Sequence, residues 1–164
     1  MKTLYIVRHA KSSWSFDLPD ADRPLGVRGR RDAPRVGKYL SDNERTPDLM
    51  LSSPASRALY TALIIADEWG YPEEEIVLAK GLYHTSTSEL FETLKEQDDD
   101  QNTIAIFGHN PGFTDLVNEL GTEYLDNLPT SGVCAYEFDV DSWAEITSKN
   151  ASRKFLVFPK RLPN

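Results

Sequence analysis

The chain has 164 residues, of which 40% are hydrophobic, and its formal net charge at pH 7 is −8. This length and apolar content are typical of one globular domain, so we expect a single domain over residues 1–164. The acidic balance makes nucleic acid a poor candidate partner, because binding it needs clustered basic side chains that neutralise phosphates. The single cysteine, Cys134, excludes an intrachain disulfide and a cysteine-based zinc site.

The N-terminal segment predicts neither a secretory signal nor a membrane anchor. Its apolar stretch is interrupted by Arg8 after only a few residues. The longest apolar-rich segment, around residues 58–66, is too short to cross a bilayer. We therefore expect a cytoplasmic protein with no membrane partner, and the sequence leaves the oligomeric state open.

Apolar runs alternate with helical patterns along the whole chain. In chain order, the predicted elements are a strand at residues 4–7, a helix at 29–40, a strand at 48–53, a helix from Pro54 to Gly70, a strand within 75–83, a helix ending at Glu96, a strand at 103–110, a helix at 111–120, and late strands at 132–140 and 153–159. Strands separated by helices of this length predict an α/β three-layer sandwich with a mainly parallel central sheet and helices on both faces.

Proline and serine positions refine the helix starts. Pro34 fits the first helix only in its first turn or at a kink, because proline cannot donate a backbone hydrogen bond. Ser53 and Pro54 predict the start of the second helix, with serine as the N-cap and proline at the first helical position. Ser86 or Ser88 is the predicted cap of the third helix.

Polar side chains cluster at the predicted strand ends, which is where ligands bind in sheets of this kind. Arg8 and His9 end the first strand, Arg57 follows the second strand in the first turn of its helix, and His109 ends the strand at 103–110. Two guanidinium groups bind phosphate oxygens well, and they favour the neutral, nucleophilic form of a nearby histidine. The second histidine, if protonated, would stabilise charge on a transferring phosphoryl group.

This constellation predicts phosphoryl chemistry without a metal or another cofactor. The three histidines of the chain are scattered and lack the spacing of metal ligands. The segment GVRGRR at residues 26–31 lacks the ending of a nucleotide-binding loop and does not follow a strand.

The segments VRHA (residues 7–10), SSPASRALYTA (52–62) and GHNPG (108–112) resemble, in order and spacing, the signature segments of the histidine phosphatase superfamily, named for its Arg-His-Gly motif. DADRPLGVRGRRDA (20–33) is similar to the SixA-type branch, the protein-phosphohistidine phosphatases. Ala10 is a departure, because the family usually has glycine there, and a positive φ at an alanine would be strained.

The resemblance implies roles for individual residues. His9 would be the nucleophile that becomes phosphorylated, Arg8 and Arg57 would bind the phosphoryl oxygens, and His109 would complete the phosphate pocket. Arg23 would add a further phosphate contact or close the pocket. An ion pair between Arg23 and a neighbouring aspartate, at position 20 or 22, is the alternative interpretation.

The region after the third strand lacks an obvious acid to protonate a leaving oxygen. Glu89 is the nearest carboxylate but falls within a predicted helix, and His84 is expected at the surface or behind the site. Imidazole leaves with less help from an acid than an alkoxide does, so a protein phosphohistidine is the expected substrate.

Three alternatives stay open from the sequence. The first is a phosphate-ester phosphatase acting on a small metabolite, with Glu89 or another group as the acid. The second is a non-catalytic module that binds phosphate or phosphohistidine. The third is a phosphomutase, which usually has longer insertions. A basic cluster in the first helix is expected to be solvated or to dock an acidic partner surface; it comprises Arg28, Arg30, Arg31 and Arg35.

Overall fold

The computed structural model describes residues 1–163 and contains one six-stranded sheet and four α-helices. The strands are β1 (Lys2–Arg8), β2 (Leu49–Ser52), β3 (Val77–Leu78), β4 (Thr103–Gly108), β5 (Val133–Phe138) and β6 (Ala151–Val157). The helices are α1 (Val27–Asn43), α2 (Ser56–Trp69), α3 (Thr87–Lys95) and α4 (Gly112–Leu120). No helix within residues 1–163 is both long and apolar enough to cross a membrane.

The strand order is β3-β2-β4-β1-β5-β6. The neighbours β3, β2, β4 and β1 run parallel, whereas β5 runs antiparallel to both β1 and β6. The carboxyl ends of β1, β2 and β4 therefore meet at one edge of the sheet. The predicted mainly parallel sheet is confirmed.

Helices cover both faces of the sheet. Consecutive side chains of a strand point to opposite faces, so each strand contributes side chains to both helix layers. In β1, Tyr5 and Val7 pack in a cluster with side chains of α1 and α2. Leu4 and Ile6 pack in a separate cluster with side chains of α3 and α4. The three-layer arrangement expected from the sequence is thus confirmed, and both faces of the central strand are buried.

The structure decides two predicted helix details. Pro34 lies inside α1 and not in its first turn, which leaves the kink as the remaining prediction, and the burial of Val36 and Leu40 against the sheet stabilises the helix after the proline. The N-cap predicted for α2 is wrong. Ser53 is not the N-cap of α2, which is Ala55. The Ser53 hydroxyl instead accepts a hydrogen bond from the Ala55 amide and lies 2.8 Å from a ring nitrogen of His109.

The loop after β1 is held tightly against the start of α1. The Gly26 amide donates to the Lys11 carbonyl at 2.9 Å. A Cβ atom added at Gly29 would lie 2.2 Å from the same carbonyl oxygen. Ala10, in this loop, is fully buried and does not have a positive φ, since His84 and Ser131 are the non-glycine residues with positive φ in the described chain. Alanine therefore replaces the usual glycine without backbone strain.

We predict that Gly29→Ala lowers the free energy of unfolding by about 1–3 kcal/mol, because the added methyl group would overlap the Lys11 backbone. Urea denaturation followed by circular dichroism measures this change. Gly26→Ser is the matched control, since a Cβ atom there would make ordinary contacts at 3.5 Å or more and serine is a good N-cap. Equal stability of Gly29→Ala and the unaltered protein would contradict this interpretation.

Candidate active site

A cavity of about 310 Å³ lies at the carboxyl ends of β1, β2 and β4. It is lined by all five residues singled out from the sequence: Arg8, His9, Arg23, Arg57 and His109. Six further residues line it: Lys11, Ser12, Trp14, His84, Asn110 and Thr130. The fold thus brings together side chains as far apart in the chain as Arg8 and Thr130.

His9 is fixed at the end of the central strand. Its amide donates to the Gly108 carbonyl at 3.0 Å, and the Ser131 amide donates to the His9 carbonyl at 3.1 Å. Its ring atom Nδ1 lies 2.7 Å from the Ala10 carbonyl oxygen. A carbonyl can only accept, so Nδ1 carries the hydrogen and Nε2 of the neutral ring keeps a free lone pair.

The environment of His9 favours its neutral form. Burial of the ring and then the positive charges of Arg57, Arg8 and Arg23 lower the pKa of His9 to about 4, although the bond to the Ala10 carbonyl opposes the shift. The ring is therefore unprotonated at neutral pH. Burial is a larger cause than the arginines, which are the only cause expected from the sequence.

His109 faces His9 across the site, with ring centroids 5.2 Å apart. Burial, followed by the proximity of His9 and Arg57, lowers the pKa of His109 to about 3. The free protein therefore has a neutral His109, whereas the role considered from the sequence needs its protonated form. Its Nε2 lies 2.8 Å from the Ser53 hydroxyl. If that hydroxyl donates, Nδ1 carries the hydrogen and can donate to an oxygen in the cavity.

Two arginines contribute buried N–H groups to this part of the structure. Arg57 is 3% exposed. One of its terminal nitrogens donates a hydrogen bond to the Asp20 carbonyl at 2.7 Å, and the other donates to the Asp20 carboxylate at 3.0 Å. Arg8 donates to the Leu128 carbonyl at 2.9 Å. Within residues 1–163, the Nε groups of both arginines and Nδ1 of His109 are buried without a protein hydrogen-bond partner. These three groups are suited to binding phosphoryl oxygens.

Arg23 forms the ion pair that is the alternative interpretation from the sequence, and it also lines the cavity. Its Nε forms an ion pair with the Asp20 carboxylate at 3.3 Å, and its guanidinium donates to the Ser12 hydroxyl at 2.7 Å. The guanidinium carbon lies 3.5 Å from the centre of the Trp14 ring. Arg23 is nevertheless part of the cavity wall, so its charge is available to an anion there.

Asp20 is the functional residue that the sequence analysis missed, except as an ion-pair partner for Arg23. Its carboxylate lies within 3.3 Å of four donors, on Tyr83, Arg57, Arg23 and His84. The Tyr83 hydrogen bond, then Arg57 and Arg23, hold the pKa of Asp20 well below its usual range. Asp20 is therefore a permanent anion that positions the cationic side of the site. Long-range contacts of this kind leave no local sequence signal.

His84 lies at the cavity rim with a left-handed backbone, at φ 48°. Its Nε2 is 3.3 Å from the Asp20 carboxylate, and its ring packs against the Tyr83 ring with centroids 4.0 Å apart and an angle of 42° between the planes. Glu89, the carboxylate singled out from the sequence, lies in the first turn of α3, where it accepts a hydrogen bond from the capping Ser86 hydroxyl at 3.3 Å. Glu89 lies outside the cavity wall.

The described residues 1–163 contain no group of three or more His, Cys, Asp or Glu side chains placed to hold a metal ion. The polar groups of the cavity are mainly cationic or neutral donors. Their chemistry suits an anion such as a phosphoryl group better than a cation.

Residues 4–102 match the family model described as histidine phosphatase superfamily (branch 1). An uncharacterised chloroplastic protein of Arabidopsis thaliana is 31% identical over 153 residues, which cover 88% of this chain and 70% of the relative. The structure of SixA from Nakamurella multipartitia superposes with a TM-score of 0.84 at 20% identity, covering 96% of each chain. A protein histidine phosphatase SixA complexed with tungstate gives a TM-score of 0.82 at 20% identity, covering 96% of this chain and 97% of the other.

We predict that the free energy of unfolding rises with pH between about 4 and 6.5. The pKa of His9 is about 4 in the folded chain and about 6.5 in an unfolded one; that of His109 is lowered in the same sense. In this window the unfolded chain binds more protons, so raising the pH favours the folded state. The lowered pKa of Asp20 contributes only below this range.

Urea denaturation at a series of pH values measures this slope. The double variant His9→Gln/His109→Gln removes both titrating groups and should show a shallower rise across the same window. An unchanged slope in the double variant would show that other groups cause the pH dependence.

Proposed function

Because the chain belongs to branch 1 of the histidine phosphatase superfamily and is a phosphohydrolase, we propose that it removes the phosphoryl group from phosphohistidine in protein substrates. The observation that carries this proposal is the state of His9, a buried neutral imidazole with Nδ1–H bonded to the Ala10 carbonyl, in a cavity lined by three arginines. That arrangement supports a phospho-His9 intermediate. A cytoplasmic location remains a prediction.

In the first half-reaction, Nε2 of His9 attacks phosphorus in line with the leaving nitrogen. A new N–P bond forms, the N–P bond of the substrate breaks, and its electron pair returns to the substrate imidazole. If the other nitrogen of that imidazole is protonated, the ring leaves as a neutral molecule. Arg8, Arg57 and Nδ1 of His109 hold the phosphoryl oxygens and stabilise the charge that spreads over them in the transition state.

In the second half-reaction, water attacks the phosphorus of phospho-His9. The N–P bond breaks, inorganic phosphate forms, and His9 returns to its neutral state. The Ala10 carbonyl acts in both steps, because the Nδ1–H bond stabilises the positive charge that develops on the ring while it carries the phosphoryl group. The same bond keeps the ring in one orientation.

The acid–base groups around the cavity favour a phosphoramidate over a phosphate ester. An ester needs a proton on its leaving oxygen, and neither Asp20 nor Glu89 is suited to donate one. Asp20 is held as an anion by its cationic neighbours, and Glu89 lies outside the cavity. The SixA structures that share the fold, one of them with the tetrahedral oxyanion tungstate, are consistent with this choice.

One observation favours a second candidate, a phosphate-ester phosphatase acting on a small metabolite. His84 lines the cavity, is oriented by Asp20 and has a strained backbone. Strain in a non-glycine residue is often retained at functional sites. In this candidate, protonated His84 would donate to the leaving alkoxide.

We predict that the protein hydrolyses a phosphohistidine peptide much faster than p-nitrophenyl phosphate when a chelator is present. Phosphate release measured for the unaltered protein and for His9→Ala tests this. Loss of the nucleophile should lower the rate on both substrates by on the order of a thousandfold or more. A His9→Ala variant that is folded, as judged by circular dichroism, and fully active would exclude the mechanism.

The variant His84→Ala separates the two candidate functions. It should leave phosphohistidine turnover nearly unchanged if the leaving imidazole needs no acid from the protein. Faster turnover of esters than of phosphohistidine by the unaltered protein, together with loss of ester turnover in His84→Ala, would favour the ester phosphatase.

A further inference from the structure

A second cavity, of about 530 Å³, lies between α1 and the segment that follows β6. We call it the basic groove and define it by six of its lining residues: Arg28, Arg31, Asp32, Arg35, Pro159 and Lys160. The proposed phosphatase mechanism uses none of these residues. The α1 arginines form a recognisable cluster in the sequence, but no sequence pattern predicts that Lys160 lies beside them.

A buried carboxylate organises the groove. Asp32 is 3% exposed, and one of its oxygens lies 3.2 Å from Nε of Arg31 and 3.1 Å from a terminal nitrogen of Arg35. Its other oxygen lies 3.7 Å from Nε of Arg28. Arg28 and Arg31 therefore contact Asp32 through Nε, while their side chains remain 56% and 65% exposed. Their terminal N–H groups stay available as planar forks for a carboxylate or a phosphate.

The charge of the groove is opposite to that of the whole chain. Four basic side chains line it with one carboxylate, which leaves an excess of three positive charges, whereas the formal net charge of the chain is −8. Like charges held this close repel one another unless an anion lies between them. Asp32 neutralises only one of the four, so the groove is complementary to a ligand with several negative charges.

The groove lies at the same edge of the sheet as the candidate active site. Val7 of β1 pairs with Val133, and Val133 pairs with Val157 of β6. The carboxyl ends of β1 and β6 are thus level, two strand spacings or roughly 10 Å apart. At its other side the groove begins at the first turn of α1, next to the Lys11 backbone against which Gly29 packs. Lys11 itself lines the active-site cavity.

We propose that the basic groove binds acidic residues of the protein substrate that flank its phosphohistidine. Residues 28, 31 and 35 lie along one side of α1 over roughly 10 Å, at 1.5 Å per residue. An extended peptide covers that distance with about three residues, whereas a single phosphate would reach only part of it. This inference rests on the proposed function, because it identifies the partner that would bring phosphohistidine to the cavity.

The test compares two phosphohistidine peptides that differ only in their flanks. In one peptide, glutamates occupy the positions three to six residues on either side of the phosphohistidine; in the other, glutamines occupy them. The unaltered protein should hydrolyse the acidic peptide with a KM about tenfold lower and a similar kcat, since each exposed charge pair contributes two- to fivefold. Added salt should raise the KM of the acidic peptide alone.

The double variant Arg28→Gln/Arg31→Gln should remove the preference, so that both peptides have the KM of the neutral one. Arg45→Gln/Lys149→Gln is the matched control: it makes the same change in net charge at two exposed residues that lie in the loops before β2 and β6, at the opposite edge of the sheet. The control should keep the full preference for the acidic peptide.

A second readout is independent of turnover. A fluorescent glutamate-flanked peptide without phosphate should bind the His9→Ala protein, and the additional Arg28→Gln/Arg31→Gln changes should weaken its binding about tenfold in fluorescence anisotropy. Equal kinetic constants for both peptides, or loss of the preference in the control variant, would refute the proposed role of the basic groove. Either result would leave the proposal of phosphohistidine hydrolysis intact. Turnover of neither peptide would refute the proposed function and the groove with it. Strong displacement of the peptide by tripolyphosphate at equimolar concentration would reassign the groove to a small phosphate ligand.

Discussion

The site depends on one constraint. An imidazole must be buried at the end of a strand whose two faces both pack in the core, and it must still present an unprotonated nitrogen. The short bond between Nδ1 of His9 and the Ala10 carbonyl meets it, because it fixes both the tautomer and the orientation of the ring. Burial then keeps the ring neutral. The parallel pairing of β1 with β4 places His109 beside it, and the tight packing of the following loop against α1 holds Ala10 in position.

Asp20 is the second organising element, because it connects the loop after β1 to two other parts of the chain. Arg57 in α2, Arg23 in the same loop, and the Tyr83–His84 pair all contact its carboxylate. An anion in contact with Arg57 and Arg23 lowers the repulsion between these arginines while the site is free. Asp20 accepts one N–H from each terminal nitrogen of Arg57, which leaves the second N–H of each and the Nε–H to bind an incoming phosphoryl group.

The sequence predicted the part of the site that follows from local patterns. Arg8, His9 and His109 end apolar runs that are recognisable as buried strands, and the rules of parallel sheets place such ends together. Asp20, Trp14 and His84 lie in irregular loops, where their positions depend on contacts between distant segments that no local pattern encodes. Ser53 shows the same limit. The sequence around it predicts a helix N-cap, whereas in the structure its hydroxyl forms a hydrogen bond with the His109 ring. Lys160 lies beside the α1 arginines through a contact between distant segments, which local sequence patterns do not encode either.

The most direct test of the central claim is to trap the phosphoryl group on the enzyme. The protein would be mixed with a phosphohistidine peptide in a rapid-quench instrument, stopped in alkali to preserve phosphohistidine, and digested for mass spectrometry. We expect an acid-labile, alkali-stable phosphoryl group on His9 that forms before phosphate is released. Its amount should reach at most one phosphoryl group per chain. Turnover at a normal rate with no phosphoryl group on His9 at any time, or with the group on another residue, would contradict it.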